Sequence, residues 1–163
     1  MSKIKAMADK LCNILNWMAG IVLSIMLFIT FAQVVMRKVF NRPFIWAEEL
    51  TLAMLVWFGY ITISVVVKED GHMSITFLYN MLGKKMKLLL DVLKHALMIG
   101  FSALMAVYSI QMAKNAYGNV LPASQISRSL LYIPLVISGV LIIVFSIIHL
   151  IDLFLKPHKG EGV

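Results

Sequence analysis

The most suggestive chemistry in the sequence belongs to two histidines. His95 lies eight residues past Lys87, and His149 lies seven before Lys156. At about 1.5 Å per residue, two facing helices would bring both to a similar depth near one membrane face. Paired imidazoles on neighbouring helices can ligate a haem iron from both sides, as in the membrane anchors of quinone-linked oxidoreductases. Against that reading, neither stretch carries the further polar groups that haem propionates or a quinone would need, and Asp152 beside His149 also suits a helix end at the interface. A second group, Asp91, Lys94 and His95, continues the polar stripe of Lys84 and Lys87 along one helix face. Lys87 to Asp91 and Asp91 to His95 are i,i+4 pairs that neutralise one another. An ion or proton path would have to continue to the bilayer centre, and beyond His95 this segment offers only Ser102, Ser109 and Gln111.

Glu48 and Glu49 open an apolar run. Carboxylates there complement the positive end of a helix; alternatively one of them pairs with Arg37 or Arg42 across the short loop, or with another subunit. Other catalytic groupings are missing. There is no nucleophile–base pair, phosphate-binding glycine loop or carboxylate dyad, and His72 and His158 are unaccompanied loop residues. The single cysteine, Cys12, excludes an intrachain disulfide and any zinc or iron–sulfur centre built on thiolates. The expectation is a protein that is not an enzyme, with no metal site and no cofactor of its own.

The elements that must position these residues are membrane helices. Of the 163 residues, 61% are hydrophobic and the mean hydropathy is +0.89, against about 45–50% apolar in a soluble domain. A chain this short cannot bury that excess in its own core, so lipid must act as solvent. The net charge of +7 comes from basic residues flanking apolar runs, which suits a bilayer and not nucleic acid. The spacing predicts one all-α integral membrane domain over 1–163, with four transmembrane helices at about 14–36, 46–67, 88–113 and 129–155. The first run is too long for a cleaved signal peptide and reads as a retained span.

Between the second and third spans, Thr76, Asn80, Lys84 and Lys87 recur on one face, with Ile75, Leu78, Tyr79 and Leu82 on another. That pattern predicts an amphipathic interfacial helix over about 73–84, broken from the third span near Gly83; the alternative is one long third helix. Basic residues set the orientation. Lys3, Lys5, Lys10, Lys68, Lys84, Lys85, Lys87, Lys156 and Lys159 would lie on one side, and Arg37, Lys38, Arg42, Lys114 and Arg128 on the other. The larger group places both termini in the cytoplasm, N-in and C-in. Small residues at a spacing of four, Gly20 with Ser24, Ala96 with Gly100 and Ser102 with Ala106, offer close-packing seams. Neither an inverted repeat nor a helix broken at the midplane is visible, which argues against a self-sufficient carrier.

Three motifs carry a family resemblance. Arg37-Lys-Val-Phe-Asn41-Arg-Pro-Phe-Ile-Trp46-Ala-Glu-Glu49-Leu50, followed by Trp57 and Gly59, is the first. Gly71-His72-Met73, followed by Ser-Ile-Thr-Phe-Leu, is the second. Pro122, Ser124 and Ile126, then Tyr132-Ile-Pro134-Leu, form the third. In order and spacing they resemble the small membrane subunit of tripartite ATP-independent periplasmic (TRAP) transporters over nearly the whole chain. Many relatives in that family carry an Asp shortly after the histidine, where Thr76 stands here.

The resemblance implies a bacterial inner-membrane scaffold without catalytic residues. Its partners would be the large transmembrane subunit, membrane lipids and a periplasmic substrate-binding protein, in uptake of an organic acid (sialic acid or a C4-dicarboxylate) driven by an ion gradient, usually sodium. By the same resemblance Arg37, Asn41, Trp46, Glu49, Gly71, His72, Pro122 and Pro134 are structural or subunit-interface positions. Arg42, Lys114, Ser124 and Arg128 fall on the side where the binding protein would dock.

Overall fold

The computed structural model describes residues 2–42, 44–69 and 83–155. Within them the chain is helical: α1 spans Ser2–Val39, α2 Ile45–Glu69, α3 Lys84–Asn115 and α4 Ile133–Leu155, with a 3-10 turn at Arg128–Leu131 before α4. All four helices are long and apolar enough to cross a membrane, as the hydropathy pattern requires. The interfacial helix expected over 73–84 lies, except for its last two positions, outside the described residues. Gly83 itself is extended, at φ −65° and ψ 156°, and α3 begins immediately after it.

Three starts differ from expectation, α3 beginning at Lys84, four residues before position 88. α1 starts well before residue 14, because the charged segment Lys3 to Lys10 continues the same helix. Its 38 residues make a rod of about 57 Å, against a hydrocarbon layer of about 30 Å. Part of α1 therefore projects beyond the hydrocarbon, or the helix tilts. α4 starts later than Ser129 because of Pro134. Proline has no N–H to offer the carbonyl four residues back, and its ring crowds that carbonyl, so it is tolerated only in a first turn. The chain from Arg128 to Leu131 takes a tighter 3-10 turn, and the α-helix begins at Ile133.

The helices pack as a row in the order α1, α2, α4, α3. Burial follows from that order: 28% of the apolar window of α2 and 33% of that of α4 is covered, against 6% for α1 and 11% for α3. α2 and α4 each have a main neighbour on two sides, while α1 packs chiefly on α2 and α3 on α4; near the Asp9 end α1 also approaches α4, lining a cavity with Phe145 and His149.

α1 lies antiparallel on α2 along its length. Asp9 and Lys68 form an ion pair at one end, and the Gln33 amide donates to Glu48 at the other (3.0 Å). Between them Cys12, Leu15 and Ala19, spaced one helical turn apart, pack on Ile61 and Val65, with Trp57, Phe58 and Leu141 at the edge. α2 meets α4 through the buried Ser64 and Ser138 hydroxyls, which share a hydrogen bond of 2.9 Å.

α3 meets α4 at a glycine. A β-carbon on Gly139 would stand 3.1 Å from both the Ala106 β-carbon and the Ser102 carbonyl oxygen. The Ser102–Ala106 seam is therefore a packing contact, with both residues buried. Gly20 and Gly100 instead face open space, so these two glycines sit at no close approach inside the chain.

Gly139→Leu is expected to push α3 from α4 and destabilise the chain by about 1–3 kcal/mol, as overpacking does. Gly100→Leu should stay within ~0.5 kcal/mol. Unfolding of the isolated protein in detergent micelles, followed by circular dichroism, measures both.

Candidate functional site

The connections α1–α2 and α3–α4 emerge at the same end of the row, and the polar chemistry there converges on α2. The α1–α2 corner is tight. Asn41 takes a left-handed conformation (φ 52°), which asparagine tolerates better than most side chains. Arg37, Lys38 and Arg42 are exposed around it. Phe44 and Trp46, with ring centroids 5.7 Å apart, form a half-exposed aromatic pair at the mouth of α2, a chemistry suited to the headgroup region.

The α3–α4 connection has its own internal order. Val120 and Ser127 pair as an antiparallel bridge. Leu121 N–H donates to the Ile126 carbonyl and Arg128 N–H to the Asn119 carbonyl, each at 2.8 Å. At the tip Gln125 adopts φ 57°, and its side-chain amide donates to the Pro122 carbonyl at 2.9 Å. Two side chains of α2 add bonds to this loop from outside.

The Glu49 carboxylate accepts from Ala123 N–H at 3.1 and 3.2 Å, and from both the N–H and the hydroxyl of Ser124 at 2.7 Å. Consecutive backbone N–H groups in a turn form a concave seat for an anion, and here the anion is supplied by the protein itself. Bonds to an ionised acceptor are short and roughly twice as strong as neutral ones. The second contact lies at the loop's base, where Trp57 Nε1–H donates to the Leu130 carbonyl at 3.2 Å. That is the carbonyl an α-helical residue 134 would have used, and Pro134 has no N–H to give it. The indole takes the vacant place.

The geometry thus unites Glu49, Ser124 and Pro122, with Pro134 fully buried behind them and Lys114 and Arg128 exposed on the flanks. Arg128 is near enough to act electrostatically on the Glu49 carboxylate. An ion pair from Glu48 or Glu49 to Arg37 or Arg42 is not formed among the described residues. Glu48 finds Gln33 and Glu49 finds the loop, while the arginines point outward. Gly71 and His72 lie outside the described residues. Sequence spacing missed the Glu49–Ala123 and Trp57–Leu130 contacts. The one local signal was Pro134, which orphans the carbonyl four residues before it.

At the opposite end His95 and His149 do meet, with ring centroids 5.6 Å apart and planes inclined by 23°. His95 is buried. Its Nδ1 lies 2.8 Å from the Asp91 carbonyl oxygen, and the Nδ1 of His149 lies 3.4 Å from that of Phe145. The two near-parallel rings make a direct contact between α3 and α4 at this end.

Glu49→Ala is expected to raise amide hydrogen exchange at Ala123 and Ser124 several-fold, because both N–H groups lose the carboxylate they donate to. Exchange in the middle of α3 should stay unchanged. Mass-spectrometric exchange of the detergent-solubilised chain measures both.

Comparison with known proteins bears on this site. Residues 26–156 match the family model described as tripartite ATP-independent periplasmic transporters, DctQ component. The chain is 36% identical over 72 residues to the sialic acid TRAP transporter permease protein SiaT of Haemophilus influenzae (strain 86-028NP), covering 44% of this chain and 12% of that longer protein. It is 28% identical over 141 residues to a putative TRAP transporter small permease protein of Haemophilus influenzae (strain ATCC 51907 / DSM 11121 / KW20 / Rd), covering 86% of this chain and 87% of that one. It is 32% identical over 84 residues to the C4-dicarboxylate TRAP transporter small permease protein DctQ of Vibrio cholerae, covering 52% of this chain and 36% of the relative. The matched segment takes in the clamped loop and all of α2, α3 and the 3-10 turn, and on that ground this multi-pass membrane protein belongs to the DctQ component family of TRAP transporters.

Proposed function

We propose that the chain is the scaffold for the large transmembrane subunit of a TRAP transporter and helps form the docking surface for a periplasmic substrate-binding protein. The observation that carries this reading is that α1 and α3, at the two ends of the helix order, leave almost all of their apolar windows uncovered. Four helices of which two are nearly bare offer little interior in which a solute could be closed off from both sides of the membrane in turn. Transport then calls for a second, larger membrane body for those faces to pack on. The uncovered apolar faces of α1 (Trp17, Phe28, Phe31) and α3 (Leu97, Phe101, Leu104) accept either lipid or that body, since in a bilayer close packing decides the choice.

The cargo in this reading is an organic acid, sialic acid or a C4-dicarboxylate as the relatives' names suggest, taken up with sodium. Both termini would be cytoplasmic, by the excess of lysine on that side. The clamped loop and the α1–α2 corner would then face the periplasm of a bacterial inner membrane. Gly71, His72 and the segment after them would sit at the cytoplasmic interface and set the depth of the scaffold.

Affinity purification from the native membrane tests the reading. A large multispan subunit is expected to copurify, without a Soret absorbance band; a Soret band and no such subunit would sink it. Charge reversal at Arg42 and Arg128 is expected to lower uptake at low salt, with the defect shrinking as ionic strength screens the contact. Uptake rates across a salt series measure that.

A further inference from the structure

The α3–α4 loop is held at two points by one helix. Its tip rests on Glu49, and its base hangs from Trp57, eight residues and about 12 Å further along α2. One attachment would leave a short hairpin free to swing about it; two attachments on a rigid rod remove the swing. Between and beside these points the loop presents Tyr117, Gln125 and Arg128 outward, Tyr117 being 80% exposed. Its interior faces are spent on the bridge and the anion seat. Neither α2 residue is available to a docking partner in the same way, because the Glu49 oxygens are occupied by the loop's own donors.

We infer that Glu49 is a positioning residue for docking: its carboxylate, with Trp57 at the base, sets the orientation in which the loop's exposed side chains meet the substrate-binding protein. This rests on the docking role proposed above and assigns it an internal cause. The recognition groups are on the loop, and the group that aims them is on α2. Binding two preorganised surfaces avoids the ordering cost that a free loop would bear at each encounter. Loss of the clamp should therefore weaken the encounter without removing any side chain that touches the partner.

The test uses the intact transporter complex in nanodiscs and its purified binding protein, with two readouts. One is the amount of large subunit that copurifies; the other is the concentration of binding protein that half-saturates the complex. Glu49→Gln keeps the side chain's size while replacing a charged acceptor with an amide that also bears donors. It is expected to leave copurification unchanged and raise half-saturation about tenfold. Ser124→Ala removes only the hydroxyl and keeps both N–H donors, so it should shift half-saturation roughly two- to threefold. Trp57→Phe keeps the ring's bulk without its N–H, and should act as Glu49→Gln does, more weakly. It also provides a measurement should Glu49→Gln fail to assemble.

Arg128→Glu separates the two claims. If it raises half-saturation while Glu49→Gln and Trp57→Phe do not, the positioning role is overturned and the docking surface stands. If no variant changes half-saturation, docking at this loop is wrong as well. Loss of copurifying large subunit in Glu49→Gln and Trp57→Phe alike would make the clamp an assembly contact and overturn the inference.

Discussion

Backbone polar groups that leave a helix inside a membrane must be satisfied by protein, because lipid offers no partner. That constraint governs the end of the molecule where α3 turns back into α4. Trp57 stands twelve residues into α2, about 18 Å along it, and still reaches the loop at Leu130. The connection therefore does not simply arch through water; its base runs back along α2. Its hairpin bridge satisfies part of the irregular backbone. The Glu49 carboxylate and the Trp57 indole satisfy groups that the hairpin cannot. These contacts tie the irregular chain before α4 to α2.

The same economy shapes the rest of the row. In the apolar zone few polar side chains are carried; several bond at short range, while the buried hydroxyls of Thr51, Thr62 and Ser146 have no partner among the described residues. Ser24 and Thr30 return their hydroxyls to carbonyls one turn earlier, and Ser64 bridges to Ser138. Helix association without a hydrophobic drive depends on close fit, supplied by Ser102 and Ala106 around Gly139. The result is a row of helices with ion-pair and amide bonds near its margins and close-packed small residues between them.

Much of this architecture was legible in the linear chain, because hydropathy and charge act locally. The four spans and the seam of Ser102 with Ala106 follow from neighbouring residue types. The late start of α4 was implicit in Pro134 but needed the rule that proline silences a carbonyl four residues away. The histidines illustrate the opposite case. Their shared depth could be computed from helical rise, but whether two rings face an iron or each other depends on helix rotation, which depth does not specify.

The sequence by itself determined that this chain must be a multispan membrane protein, since its apolar excess and its short length leave no other solvent for it. Residue order also marked which family it resembles. Only the tertiary structure decided which helices are neighbours, that α4 and not α3 lies against α2, and that Glu49 closes on a turn 74 and 75 residues away in sequence. The reason is that a lipid-solvated helix is apolar on nearly every side. Its pattern then says that it is buried in the membrane but not what it touches, and the choice of neighbour passes to a few close-packing and hydrogen-bonding contacts between distant parts of the chain.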